Sequence, residues 1–475
     1  MKRALRVTVL LSALFLLASA VYAGPTIIAI GSVSGTYEDL ALETAAPLEN
    51  GIPGNRLGGL GSGLAYAGGN IFLALPDRGP NAKPYNSSVD DTASYIARFH
   101  TLHLSLAPSD PGSVLPFTLT PMVIETTLLS SKTPLVYGTG GGVGLSSGTP
   151  ALNATDHTNY FTGHSDNFDP LRLSTNPNNG RLDPEGIRVS NDGRRVYISD
   201  EYGPYVYEFD RSTGRRIRAF TLPDKFAVSH LSAVGSVEIN SNTFGRIANK
   251  GMEGLAITPN GKTLVGIMQN ALIQDGGNTG GKIVRIVAID IHSGKTREYA
   301  YALTTGTGVS EILAINDHEF LVDERDGKGQ GDGSVAKVKQ LFKIDLQGAA
   351  EVSQVTGEAN LAPFVVPKTL FLDIVATLTA SAPGPGISAG HIPAKMEGIA
   401  FGPDVTINGH VKHTLWVAND NDFISAVADD KKVVVDNPNQ FFVLAFDAND
   451  LPTYEAQSIR GDRFDDGPER NDDGH

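Results

Sequence analysis

Apolar and polar positions alternate in short runs along most of this chain, and the runs recur as one pattern. The opening run reads Ser62-Gly63-Leu64-Ala65-Tyr66, Pro184-Glu185-Gly186-Ile187-Arg188, Met252-Glu253-Gly254-Leu255-Ala256-Ile257 and Met396-Glu397-Gly398-Ile399-Ala400-Phe401. A degraded copy reads Ser310-Glu311-Ile312-Leu313-Ala314-Ile315. Turns such as Asn191-Asp192-Gly193 and Pro259-Asn260-Gly261 follow, and Asp-Gly or Asn-Gly there marks a tight hairpin. A second run then ends on polar residues: Asp77-Arg78, Asp200-Glu201, Gln269-Asn270, Glu324-Arg325 and Asn419-Asp420. A third closes on Asp210, Asp290, Asp345 or Asp447, and in two copies a Ser/Thr-Gly turn leads to a fourth alternating strand. Each unit is a four-stranded antiparallel meander with two faces to bury. Radial stacking buries both, which predicts an all-β fold, a β-propeller.

Five blades are readable, and a sixth is expected within 104–180 or near 221–245. The segment 26–30 is expected to complete the last blade and close the ring. Leu370, Phe371, Ile374, Val375 and Leu378 follow helical spacing, so a short helix is predicted over 367–380. The propeller domain is expected to span 24–460. The charged, Gly-containing tail 461–475 reads as disordered. At the other end, Lys2, Arg3 and Arg6 precede an uncharged apolar run over 7–21, with small residues before Gly24. That is the pattern of a secretory signal peptide over 1–23, so the product is expected in the periplasm or the medium. No other run is long enough to span a bilayer, and a monomer is expected.

Composition sharpens this picture. The chain has 475 residues, 53 Gly, 27 Pro and no cysteine. The Gly and Pro surplus fits many turns, and the lack of cysteine excludes a disulfide scaffold, a thiolate metal site and a thiol nucleophile. The net charge of -14 argues against a nucleic-acid partner, which needs a basic face.

The first strand of each blade lines a propeller's central channel. Glu185, Glu253 and Glu397 should therefore converge, with Glu311 a possible fourth. Asp200, Glu201, Gln269, Asp323, Glu324, Asn419 and Asp420 add polar groups at the strand ends. Converging carboxylates repel and need a counter-charge, and a hard oxygen-loving cation such as Ca²⁺ suits a flexible cage of them. The other reading is structural, with each glutamate bonding the backbone of the next blade. Arg78 and Arg325 would grip a phosphate or carboxylate, or else pair with neighbouring acids. Lys250 and Lys395 read as counter-charges of the cluster or as solvated. Gly144-Leu145-Ser146-Ser147-Gly148 matches a hydrolase string but sits in a Gly/Ser-rich loop without the strand and helix that motif needs. Asp156, His157, His164, Asp166 and Asp169 read as a surface loop. The segments 326–333 and 419–422 resemble calcium loops in composition only.

Asp183-Pro184-Glu185-Gly186-Ile187, followed by Ile198-Ser199-Asp200-Glu201-Tyr202-Gly203-Pro204, resembles the signature of the phytase-like family, also described as esterase-like activity of phytase. The stretch from Gly58-Gly59 to Gly63-Leu64, Asp77-Arg78-Gly79 and Asp323-Glu324-Arg325-Asp326 resemble it too, so the likeness covers roughly 50–450. The resemblance implies a propeller, export and ester or phosphoester hydrolysis. Asp183, Glu185, Asp200, Glu201, Glu253, Glu324 and Glu397 match its acidic positions. The chain departs at Gly63, which stands for a glutamate, and at Glu311, where isoleucine follows instead of glycine. No Arg-His-Gly string supports a phosphohistidine route.

The resulting expectation is a metal-dependent hydrolase of phosphate esters. Asp183, Glu185, Asp200, Glu253, Glu324, Glu397 and Asp420 would hold Ca²⁺. Glu185 or Glu201 would be general base, and Arg78 or Arg325 the anion grip. The alternatives are a non-catalytic, calcium-stabilised binding propeller and a lactonase- or esterase-type hydrolase.

Overall fold

Short strands joined by tight turns form five four-stranded antiparallel sheets, the blades of a propeller. The computed structural model describes residues 24–82, 92–138, 149–153, 156–304, 306, 308–381 and 384–460. The signal-peptide segment, the 144–148 string and the 461–475 tail lie outside the described residues.

Blade I comprises Gly63–Tyr66, Ile71–Leu75, Arg98–Pro108 and Phe117–Leu128. Blade II comprises Pro184–Val189, Arg195–Asp200, Tyr205–Asp210 and Arg216–Thr221. Blade III comprises Met252–Ile257, Thr263–Met268, Ile283–Asp290 and Thr296–Ala302. Blade IV comprises Gly308–Ala314, Glu319–Arg325, Lys339–Asp345 and Lys368–Asp373. Blade V comprises Lys395–Ile407, His410–Asp420 and Asn439–Phe446, and Thr26–Val33 adds its outer strand. Thr26 pairs with Ala445 and Val33 with Asn439, so the N-terminal strand closes the ring as expected. The first strands of the blades are neighbours around the axis.

The five blades are the five readable in the sequence, and neither stretch expected to hold a sixth does so among the described residues. The 104–180 stretch gives the two long outer strands of blade I and a short ribbon, Ser130–Ser131 with Asn159–Tyr160. Near 221–245 lie a single 3-10 turn, Asp224–Phe226, and a helix, Gly235–Ser241. The 367–380 helix is half right. Lys368–Asp373 is a strand held by Leu341↔Leu372 and Phe342↔Leu370 pairing, and the helix is confined to Ile374–Thr379. Asp373 sets the boundary by accepting a 2.9 Å bond from Ala376 N, an N-cap that releases the chain from the sheet.

Each blade-to-blade interface has its own apolar cluster. Leu73, Phe99, Ile187 and Ile198 join blades I and II, and Val206, Leu255, Leu264 and Val287 join II and III. Ile267, Val284, Ile312 and Val322 join III and IV, and Leu321, Leu341, Met396 and Leu415 join IV and V. Leu64, Phe72, Trp416 and Val443 join V to I. Each buried Leu, Ile, Val or Phe contributes about 1.5–3 kcal/mol, so the ring needs no cross-link. Trp416 packs on Phe72 at 4.6 Å between ring centres and donates to Thr414 Oγ1 at 2.9 Å. The sole Trp therefore seals the closing interface.

Candidate active site

Four of the five inner strands begin with a register shift, between Pro184/Ile187, Met252/Gly254, Val309/Glu311 and Met396/Ile399. Such a bulge re-aims the side chain at the shift. The next residue lies hard against the neighbouring inner strand. A Cβ on Gly63 would stand 2.4 Å from Glu185 O, on Gly186 2.7 Å from Leu255 N, on Gly254 2.7 Å from Glu311 Cα, and on Gly398 2.9 Å from Leu64 N. Glycine is required there by close backbone approach.

This packing corrects the sequence alignment by one residue in two blades. Gly63 occupies the glycine position, so Ser62 and not Gly63 stands where Glu185, Glu253 and Glu397 stand. In blade IV, Glu311 pairs with Asp323 as Gly254 pairs with Ile267, so Glu311 is at the glycine position and Ser310 at the glutamate position. The first ring is therefore Ser62, Glu185, Glu253, Ser310 and Glu397. A second ring comes from the ends of the second strands. Glu201 N bonds Asp183 O at 2.9 Å, Gln269 N bonds Gly251 O at 2.9 Å, Arg325 pairs with Gly308 and Asp420 with Lys395. With Asp77 in blade I, this ring reads Asp77, Glu201, Gln269, Arg325 and Asp420.

Apart from Ser62 and Ser310, the members of the two rings line a cup of about 210 Å³. Its carboxylates are Asp77, Glu185, Glu201, Glu253, Glu397, Asp420 and Asp422, its cations Arg78, Lys250, Arg325 and Lys395, and no apolar side chain lines it. Each cation is engaged. Arg78 Nη1 lies 2.7 Å from Asp183 and also bonds Asn249, while its backbone N reaches Asp183 Oδ1 at 3.1 Å. Arg325 Nη2 pairs with Glu397. Lys395 Nζ pairs with Asp420 at 2.7 Å and with Asp422, and Lys250 Nζ bonds Gln269 Oε1 at 3.2 Å. The structural reading of the arginines is thus present alongside any role in gripping substrate.

The acids outnumber these partners. Burial first, then Glu253, Asp183, Glu201 and Glu397, push Glu185 well above the usual carboxylate range. Burial, Glu253 and Asp183 do the same to Glu201, against Arg78 and Lys250. Burial and Glu397 push Glu253 up to about 7, and burial chiefly puts Asp420 at about 7. Burial and Asp420 raise Asp77 likewise. Gln269 Nε2 donates to Glu253 Oε1 at 2.6 Å, while Glu253 Oε2 is buried without a hydrogen-bond partner. Asp183, Glu185 and Glu201 each offer an oxygen within 4.8 Å of the others, and Asp77, Asp420 and Asp422 do the same. Oxygen-only donors and mutual repulsion among Asp183, Glu185 and Glu201 fit a hard divalent cation on the first trio. The second trio already has Lys395 between Asp420 and Asp422.

The floor of the cup is a crossbar. Arg188, on the inner strand of blade II, donates to Leu64 O at 2.7 Å in blade I and to Ile312 O at 3.0 Å in blade IV. Glu311 Oε1 accepts from Leu255 N at 2.8 Å and Ile312 N at 2.9 Å. Its Oε2 lies 3.0 Å from Arg188 Nη2, an ion-pair contact without hydrogen-bond alignment. Beyond the crossbar the opposite mouth is crossed by the C-terminal segment, where Glu455 N bonds Ile315 O at 2.9 Å and Gln457 Nε2 bonds Val189 O at 2.8 Å. The channel is a blind cup rather than a pore.

Two expected metal ligands lie elsewhere. Asp200 is spent on its own turn, accepting from Asp183 N at 2.8 Å, Tyr202 N at 3.2 Å and Gly203 N at 2.9 Å. Glu324 faces away from the axis, because strand alternation gives the channel position to Arg325. It accepts from Thr304 N at 2.8 Å and pairs with Lys368. Asp323 is fully buried behind the ring wall. His164 is buried rather than on a surface loop, with Nδ1 2.6 Å from Asp166. Asp77 and Asp422 were not expected as ligands. Asp77 was detectable, since it ends the second run of its unit as Glu201 does.

The family described as Phytase-like, esterase-like activity of phytase, matches residues 55–423. An uncharacterized secreted protein of Arthroderma benhamiae is 30% identical over 336 residues, 58% of this chain, and the match spans 60% of that protein's length. Among solved structures, Kuenenia stuttgartiensis hydrazine synthase aligns with a TM-score of 0.30 and 10% identity, over 82% of this chain and 81% of that one. A putative 6-phosphogluconolactonase of Bacteroides uniformis aligns with a TM-score of 0.30 and 15% identity, over 80% and 88%. No helix among the described residues is long and apolar enough to cross a membrane.

Proposed function

Because this chain belongs to the phytase-like family, we propose that its cup hydrolyses phosphate esters with the help of a divalent cation, Ca²⁺ being the best fit. The observation that carries this reading is the trio Asp183, Glu185 and Glu201, whose oxygens lie within 4.8 Å of one another in a cup richer in carboxylates than in cations. Those three residues would hold the ion, and Arg78 would fix Asp183 in place. When bound, such an ion supplies charge neutralisation to the phosphoryl oxygens and acidity to water.

Glu253 is better placed than Glu185 or Glu201 as general base, because those two share their oxygens with Asp183. Gln269 holds Glu253 Oε1, and the unpartnered Oε2 is left to accept the proton of the attacking water. As the phosphorus–ester oxygen bond breaks on the opposite face, a solvent water protonates the departing alcohol, and Glu253 later releases its proton to solvent. A cup without apolar lining suits a hydroxyl-rich substrate. The N-terminal pattern and the secreted relative support action outside the cytoplasm.

The test is hydrolysis of p-nitrophenyl phosphate and bis-p-nitrophenyl phosphate, with metal analysis of the purified protein. The expected result is calcium-dependent turnover, lost in EDTA and reduced about 10²–10⁴-fold in Glu253→Gln. Unchanged activity in EDTA would remove the metal. Calcium that raises Tm while phosphoesters stay silent would favour a binding propeller, and turnover of lactones alone a lactonase.

A further inference from the structure

The two rings are not chemically uniform. Blade II presents Glu185 and Glu201 at the two ring positions, whereas blade IV presents Ser310 and Arg325. A second cavity of about 320 Å³ opens at blade IV and meets the cup at Lys250, Gln269 and Arg325. Ser310, Asn270 and Asp326 also line it.

Two donors in this wall lack partners. Ser310 is 2% exposed, and its Oγ has no hydrogen-bond partner among the described residues. Arg325 uses Nη2 on Glu397, while its Nε is buried and unpartnered. Among the described residues Lys250 Nζ bonds the neutral Gln269 amide and has Glu201 as a nearby charge. The single carboxylate of this lobe, Asp326, is already matched by Lys339 Nζ at 2.7 Å. A buried hydroxyl and a buried guanidinium N–H left without acceptors carry a desolvation cost that an oxygen ligand would offset. A notch carrying a guanidinium N–H and a hydroxyl without acceptors among the described residues, beside an ammonium, is an arrangement expected for the oxygens of an anionic group.

We infer that Ser310, Arg325 and Lys250 form a binding notch for a tetrahedral oxyanion, the phosphoryl group of the substrate, where the blade IV cavity meets the cup. This deepens the hydrolytic reading and rests on it only for the identity of the anion. Arg325 and not Arg78 is then the anion grip, since Arg78 is taken up by Asp183 and Asn249.

The experiment is calorimetric titration of full-length protein with inorganic phosphate in EDTA, where no turnover or metal contributes. Wild type should show saturable binding. The Ser310→Ala/Lys250→Met double variant should bind at least 10-fold more weakly, with an unchanged thermal melt, while Glu253→Gln should bind phosphate as tightly as wild type or more so. Equal binding by the double variant and wild type overturns the notch, as does phosphate binding that appears only when calcium is added. Neither result bears on hydrolysis itself. Loss of hydrolysis with phosphate binding intact would instead leave the notch standing and remove the catalytic reading.

Discussion

Buried carboxylates lie in two adjacent layers of the channel, Glu311 at the crossbar and Glu185, Glu201 and Glu253 at the cup, and the two layers are handled in different ways. At the crossbar, Glu311 has two backbone N–H donors and Arg188 beside it, so a charge deep in the channel is tied to four blades. At the cup, Glu185, Glu201 and Glu253 crowd one another, and Glu253 Oε2 has no aligned hydrogen bond among the described residues. Glu311 Oε2 also lacks an aligned hydrogen bond, but a guanidinium faces it at 3.0 Å, whereas the cup acids face one another. That contrast separates a glutamate tied into the ring from glutamates that repel one another, the pattern in which perturbed carboxylates mark a candidate site.

The contrast breaks most sharply at Arg188. Arg188→Met should cost about 3–5 kcal/mol in urea unfolding, because it strands Glu311 and the carbonyls of Leu64, Ile187 and Ile312. Burial lifts Glu311 to about 7 even with Arg188 present, so protonation should soften the loss at low pH. A variant as stable as wild type would show that the crossbar holds nothing. In the cup layer the effect should reverse, with Glu185→Gln in EDTA neutral or stabilising, since it removes repulsion.

Adjacent residues in blade III make the next test. Gly254→Ala puts a methyl 2.7 Å from Glu311 Cα, backbone that cannot swing aside, and overpacking of this kind costs about 1–3 kcal/mol. Glu253→Gln, one residue earlier, should leave the metal-free melt unchanged or higher while abolishing turnover. If both variants lose the same stability, the glutamate is structural and the cup reading weakens.

The cup should also show its charge in a pH scan. Glu253 and Asp420 are raised to about 7, above the unfolded carboxylate range. A raised acid contributes stability fully present below its unfolded value, and that stability is lost as pH rises through its folded value. In EDTA, Tm should therefore fall between about pH 4.5 and 7, and calcium should restore it most at the upper end. A flat profile in EDTA would mean that the carboxylates are already neutralised by the four cations.

The ring itself was legible because periodicity is local: alternation, a turn and a terminal Asp recur in each unit. The chemistry was legible only where the copies keep Glu-Gly intact. In blades I and IV a one-residue offset hid the true ring members, because Ser62 and Ser310 are unremarkable in sequence. Only the packing of Gly63 against Glu185 O, and the pairing of Glu311 with Asp323, reveals the offset. Glu324 and Asp200 failed for a different reason. Adjacent strand residues point to opposite sides, and composition does not say which of Glu324 and Arg325 faces the axis. Asp422 joins the cup from a turn that no repeat contains.

The smallest expected effect lies at the sealed end of the channel. Gln457 donates to Val189 O and Asn191 Oδ1, each at 2.8 Å, and holds the C-terminal segment across the mouth. Gln457→Ala removes two partly buried hydrogen bonds, worth about 0.5–1.5 kcal/mol each. The crossbar stands between this mouth and the cup, so turnover and phosphate affinity should stay at wild-type values while Tm falls slightly. A change in turnover at constant stability would mean that the crossbar transmits strain from one face to the other. The two carboxylate layers would then be a coupled pair rather than a scaffold beneath a site.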